Sequence, residues 1–180
     1  MKKRSFLLGS LLAFTLGVSA QSYSLRTNVL GLATTNLNLE ASMTLGRKWS
    51  LHLPVQYNPF RFSKNRQFRN LYVAPGVRYW LLESYMGPFI GMHGTAGTYS
   101  VGNLFGSRYR YEGEGYGVGV SIGKAYQLST HWNVEWEVGA GAVWLGHDQY
   151  LCKRCGDLVS KNYGWHFLPT RAAVNLVYLF

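Results

Sequence analysis

Apolar and polar residues alternate with a period of two along most of this chain. Leu37, Leu39, Ala41, Met43 and Leu45 are interleaved with Asn38, Glu40, Ser42 and Thr44. Trp49, Leu51, Leu53, Val55 and Tyr57 are interleaved with Ser50, His52, Pro54, Gln56 and Asn58. Tyr116, Val118, Val120 and Ile122 alternate with glycines and Ser121, and Val134, Trp136 and Val138 alternate with Glu135, Glu137 and Gly139. A helix turns every 3.6 residues and cannot separate such faces, whereas a strand does so at each step. The pattern predicts eight strands, near 22–32, 36–45, 48–58, 70–81, 87–98, 114–127, 131–145 and 166–180. Gly46-Arg47, Glu83 to Gly87 and Ser129-Thr130 mark three short turns. Ala33 to Thr35 is a modest loop, and 59–69, 99–113 and 146–165 read as long ones. Short turns at one rim and long loops at the other suit an antiparallel up-and-down membrane barrel.

The charges decide which face is outside. With the apolar face of each strand turned outward, Arg26, Glu40, Arg78, Glu135, Glu137 and Arg171 all point inward. Lys124 is the one strand charge left outside, close enough to a turn to reach the interface. Three arginines and three glutamates balance, and an eight-stranded barrel is just wide enough for side chains to fill it. The fold class expected is therefore all-β: an eight-stranded antiparallel up-and-down transmembrane β-barrel with a plugged lumen, the six charges forming an ion-pair network. A general acid–base role for Glu135 and Glu137 is the competing reading, but inward arginines would keep both ionised. A soluble lipocalin-like barrel also has eight strands, but its apolar face would point inward. Trp80 points inward in this register, and bulges are expected at Pro54 and Pro75 because a closed barrel has no free edge for proline.

Composition narrows the setting. Charged residues are 14% of the chain, against about 25% in ordinary soluble domains, while aromatics reach 16%. Disorder and coiled coil are excluded by that balance. Lys2, Lys3 and Arg4, the apolar run Phe6 to Val18, and small residues at Val18-Ser19-Ala20 read as a secretory leader over 1–20, leaving one barrel domain over 21–180. Without those three cations the 18 basic residues fall to 15 against 8 acidic, a net charge of +7. Val174, Leu176, Tyr178 and Phe180 alternate to the terminus, and Tyr178 with Phe180 resembles the signal read by barrel-assembly machinery. Trp49, Trp80, Trp132, Tyr126 and Tyr178 gather near the turn end, and Tyr57, Tyr116 and Trp144 near the loop end, as interfacial girdles do.

The segments Thr27-Asn28-Val29-Leu30, Trp49-Ser50-Leu51, Tyr57-Asn58-Pro59-Phe60, Val77-Arg78-Tyr79-Trp80, Trp132-Asn133-Val134-Glu135, Cys152-x-x-Cys155-Gly156 and Pro169-Thr170-Arg171-Ala172-Ala173 span the mature chain. In this order they resemble a family of small outer-membrane barrels of unknown function from Gram-negative gut anaerobes, sometimes encoded beside fimbrial genes. The resemblance implies an architecture and an outer-membrane location. It transfers no catalytic residue, because the family carries no established activity.

Function, if it lies in the loops, has two candidate places. Phe60, Arg61, Phe62, Lys64, Arg66, Phe68 and Arg69 interleave cations with aromatics and no acid, a surface for lipopolysaccharide, an acidic glycan or a surface-appendage protein. Nucleic acid is not an expected partner at a cell surface; the bland alternative is a solvated loop packed on its neighbours. Arg108, Arg110 and Glu112 sit among tyrosines in the second loop. Cys152 and Cys155 are read first as a disulfide, since export favours oxidation. Half a zinc site with His147 or His166, and a redox pair, are the alternatives. No cofactor and no metal are expected. An enzyme of the lipid A deacylase or palmitoyl transferase type would need a serine, a histidine and a carboxylate on the outer face; His147 and Asp148 stand near that rim without a serine beside them. The expectation is thus an outer-membrane scaffold or binding protein in contact with lipid and assembly machinery, not an enzyme, with a lipid-modifying enzyme as runner-up.

Overall fold

The computed structural model describes residues 22–62, 66–102, 110–150 and 158–180. The leader over 1–20 lies outside the described residues, as do Lys64, Arg108 and the pair Cys152 and Cys155. In chain order the elements are β1 (Tyr23–Asn28), α1 (Val29–Ala33), β2 (Leu37–Gly46), β3 (Trp49–Asn58), β4 (Arg61–Phe62), β5 (Arg66–Val73), β6 (Gly76–Trp80), β7 (Gly87–Gly102), β8 (Arg110–Gln127), β9 (Trp132–Tyr150) and β10 (Leu158–Leu179). β5 and β6 are two lengths of one strand, because both pair with β3 on one side and β7 on the other. Each strand lies beside its neighbours in sequence, and β1 closes the ring on β10. The result is a closed eight-stranded antiparallel β-barrel, and the three short turns fall where the sequence puts them.

Three local features depart from the expected strands. The first strand stops at Asn28, and Val29–Ala33 form one turn of helix. Asn28 causes the switch: its Oδ1 accepts the Leu30 N–H at 3.1 Å, the bond of a helix cap. The prolines, second, do not produce bulges. Val55 faces Val73 and Leu51 faces Val77 in one continuous register, so the ladder is interrupted at Ala74-Pro75 but not shifted. Ala74 N–H still donates to Pro54 C=O at 3.2 Å, and Gly94 N–H to Pro75 C=O at 2.9 Å, so the two missing donors fall side by side and the seam stays bonded. Third, a bulge occurs where none was expected, between Pro169 and Arg171 on β10. An inserted residue reverses the alternation. It lets Phe167, 80% exposed, and Trp165 face outward above it while Arg171 and Asn175 face inward below.

The strands also run further than the alternation. β7 continues to Gly102 and β8 begins at Arg110, while β9 and β10 remain paired up to Tyr150 and Leu158. Most of the two segments read as long loops, 99–113 and 146–165, is therefore hairpin.

The interior is layered. At the turn end Trp80, Tyr85, Phe89, Val177 and Leu179 form an aromatic and aliphatic floor. Trp80 faces inward and is fully buried, 4.7 Å from the Phe89 ring and 5.8 Å from the Tyr85 ring between centroids, so it is part of this floor and no part of a girdle. Tyr85 reaches the floor from the β6–β7 turn with φ of 66°, a left-handed conformation that costs a non-glycine residue about 1–2 kcal/mol and is held by its buried ring. The outer surface carries the large apolar residues, among them Leu39, Leu53, Ile90, Val118, Val120 and Val138.

Candidate functional site in the barrel interior

Above the floor the structure brings the six inward charges together. Arg26 donates through Nη1 to both oxygens of Glu135, at 2.8 and 3.0 Å. Arg78 is the hub: it donates to Glu135 at 2.8 Å, to Glu40 at 3.3 Å and to Glu137. Arg171 donates to Glu137 at 2.7 Å and lies 3.7 Å from Glu40. Each carboxylate thus faces two or three guanidiniums, the condition under which buried charge is tolerated. Neutral donors fill the remaining sites: Ser121 bonds Glu137 at 2.6 Å, and Asn175 bonds Glu135 at 3.2 Å. Ser24 and Ser42 accept from Arg26, and Ser42 meets the Tyr85 hydroxyl at 3.0 Å.

His52 was not singled out by the sequence, although its place on the polar face of β3 was visible. Its Nδ1 lies 2.8 Å from Glu40 and its Nε2 lies 2.7 Å from Ser50 Oγ. Serine, histidine and carboxylate in this order repeat the spacing of a hydrolase triad. Access is what the arrangement lacks. Ser50 is fully buried, its oxygen accepts the Trp80 Nε1–H at 2.7 Å, and Glu40 is already shared with Arg26 and Arg78. The three residues therefore join the floor to the charge layer.

Higher still the interior becomes neutral and opens. A cavity of about 320 Å³ is lined by Gln56, Tyr72, Thr95, Tyr99, Val143 and Leu145 with their neighbours, and among the described residues by no ionised side chain. Small inward residues make this room. Gly115 borders the cavity, and a side chain at Gly119 would place Cβ 2.7 Å from His93 Nε2, in the layer just below. His93 Nε2 is 2.9 Å from Thr170 Oγ1, while Thr95 Oγ1, 6% exposed, has no protein partner among the described residues. A cavity of this size beside a polar group has space for the water that would satisfy it. A second space of about 450 Å³ at the loop end is bordered by residues of both faces, among them Arg69, Asn70, Tyr99 and Glu112.

The remaining predicted residues are placed as follows. Phe60 and Arg69 are exposed at the loop end; Arg61, Phe62, Arg66 and Phe68 lie on the β4–β5 hairpin, whose side chains are outside the description. Lys124 is on the outer face, 4.8 Å from the Tyr126 ring. Tyr178 packs edge-on against Trp132 and against Phe180, each at 5.0 Å, and the Phe180 N–H bonds Tyr23 C=O at 3.0 Å. Among the described residues no group of three His, Cys, Asp or Glu converges on a metal-sized site. His166 stands eight residues below Leu158, about 26 Å along the strand from where the cysteine segment begins.

A family profile described as a protein of unknown function (DUF3575) matches residues 6–180. The chain belongs to the DUF3575 family. No curated protein and no solved structure matches it. Membership thus extends over the whole barrel, including the six charges, the His52 relay and the cavity, and brings with it no assigned reaction.

Proposed function

We propose that this DUF3575 chain is an outer-membrane barrel that presents its hairpins and loops at the surface of a Gram-negative bacterium as a scaffold or binding protein. The observation that carries the reading is inverted polarity: below Tyr116 and Trp144 large apolar side chains cover the outside, while the described ionised strand residues other than Lys124 gather inside; above them Glu114 and Arg69 are exposed. Two aromatic bands border that apolar surface. Near the turns, Trp49 and Tyr79 lie 5.0 Å apart and Trp132 and Tyr178 likewise 5.0 Å. Near the loops, Tyr116, Trp144 and Tyr163 stack in a row at 5.1 and 5.5 Å. Along β8 the bands are ten residues apart, Tyr116 to Tyr126, which at ~3.3 Å per residue and a tilt near 45° spans about 23 Å. That height fits the apolar band of about 25 Å on outer-membrane barrels.

In this reading residues 1–20 are removed on export, Tyr178 and Phe180 serve recognition by assembly machinery, and the charge layer over its aromatic floor plugs the lumen. The β9–β10 hairpin extends about six rungs beyond Trp144, roughly 20 Å along the strands. The basic segment around Arg69 favours an anionic surface partner such as lipopolysaccharide or an acidic glycan. The test is cell fractionation with gel migration before and after boiling, followed by conductance in planar bilayers. An outer-membrane protein that runs faster unboiled and conducts no steady current fits the proposal. Recovery from the soluble periplasm with unchanged migration overturns it.

A further inference from the structure

The barrel wall differs at one seam. β10 has twenty-two residues, yet β1 pairs only with Asn175 to Leu179, after which the chain turns into α1. Above that point amide side chains replace strand pairing. Asn28 Nδ2 donates to Ala172 C=O at 3.2 Å, and its Oδ1 accepts the Val174 N–H at 3.2 Å. Asn38 donates to the carbonyls of Asn28 and Asn36, each at 3.0 Å, and accepts from the Asn28 N–H. The other seven junctions of the ring are held by backbone ladders. An open strand edge is not tolerated against lipid unless it borders protein or a cavity.

A cavity does lie there. A crevice of about 100 Å³ runs from outward Leu39 and Ala172 to inward Gln56, Tyr72 and Thr170, and borders the charge layer at Glu40 and Arg171, which face each other at 3.7 Å. Those three inward residues also line the neutral upper cavity of about 320 Å³. Ala172 faces Val138 on β9, six residues from Trp132 and six from Trp144, which puts the crevice midway between the aromatic bands. At that depth the neighbouring molecules are acyl chains, if the barrel sits in a membrane as proposed above. Val143, Leu145 and Leu168 give the cavity a carbon-rich wall, and the described lining, which carries no ionised group, fits a hydrocarbon better than an ion.

Resting on that membrane reading, we infer that the β10–α1 seam is a side entrance through which one acyl chain of a bilayer lipid enters the upper cavity, its headgroup remaining at the interface. The probe is phosphatidylcholine with a diazirine at the end of one chain, mixed into phosphatidylcholine vesicles holding the full-length folded protein. After illumination, adducts are mapped by mass spectrometry. Adducts are expected inside, on Tyr72, Val143 or Leu145, as well as outside, on Ile90 and Met92, which are exposed on β7 away from the seam. Ala172→Trp narrows the entrance and should lower the inner adducts at least tenfold without changing the outer ones. Ala142→Trp, on the outer face away from the seam, should change neither. Val143→Trp, which fills the cavity itself, serves if the seam variant loses its heat-modifiable migration. Outer adducts without inner ones, or inner adducts that survive both tryptophans, overturn the entrance while leaving the membrane reading standing. Loss of the outer adducts as well would bring down both.

Discussion

Arg78→Ala tests the charge layer at its hub. The Arg78 side chain is 2% exposed, bonds all three inner glutamates and lies 4.5 Å from the centre of the Phe89 ring. Its removal leaves three buried carboxylates facing two guanidiniums, and takes away the stem that packs on the floor. Breaking a buried pair on one side costs about 3–5 kcal/mol, which shifts the folding equilibrium roughly a hundredfold to several thousandfold. The assay is urea unfolding of the barrel in detergent micelles, followed by tryptophan fluorescence and by the heat-modifiable gel band. Arg78→Ala/Glu137→Gln restores the balance at two charges of each sign and should be less destabilised than Arg78→Ala alone. Arg78→Lys should fall between wild type and alanine, since one ammonium cannot reach three carboxylates as the guanidinium fork does. A single variant within about 0.5 kcal/mol of wild type, or a double variant less stable than the single one, would refute the reasoning.

Three further outcomes follow from the same structure. Ser50→Ala leaves the buried Trp80 N–H and one side of His52 unpaired and should cost about 1–3 kcal/mol in the same urea titration, while a fluorophosphonate probe should leave Ser50 of the folded wild type unlabelled. Gly141→Ala would drive Cβ into the Val118 carbonyl oxygen, whereas Gly46→Ala meets nothing within 4 Å; the first should destabilise by about 1–3 kcal/mol and the second by well under about 1 kcal/mol. Cys152 and Cys155 should resist maleimide labelling in protein taken from intact outer membranes until a reductant is added, with unboiled migration unchanged by the reduction.

The closed barrel was legible because period-two alternation survives wherever one face meets an apolar phase and the other does not. Counting parity from apolar residues alone turns Arg26, Glu40, Arg78, Glu135, Glu137 and Arg171 inward, and the structure finds them in one cluster. The upper hairpins were not legible as strands. Beyond Tyr116 and Trp144 neither face needs to be apolar, so the ladder continues through Gly113 and Asp148 without alternation to announce it. The Pro169–Arg171 bulge was hidden because its inserted residue reverses the parity that the strand reading extrapolates. α1 was hidden because Val29–Ala33 is apolar throughout, and the choice between strand and helix rests on the Asn28 side chain. The His52 relay and the upper cavity depend on which side chains meet across the barrel, and alternation within a strand carries no such information. Only the glycines at 113–123 hinted at interior space.

The inside-out polarity of the barrel can be measured with two of its own tryptophans. Trp136 is exposed on the outer surface between the aromatic bands, while Trp80 is fully buried in the floor. Two variants, each keeping one of these as its only tryptophan, would be reconstituted into phosphatidylcholine vesicles brominated along the acyl chains. Bromine quenches an indole it touches and spares one enclosed by protein. Strong quenching of Trp136 with little change at Trp80 is the predicted result. Equal quenching of the two, or none at Trp136 in protein that co-floats with the vesicles, would contradict the account.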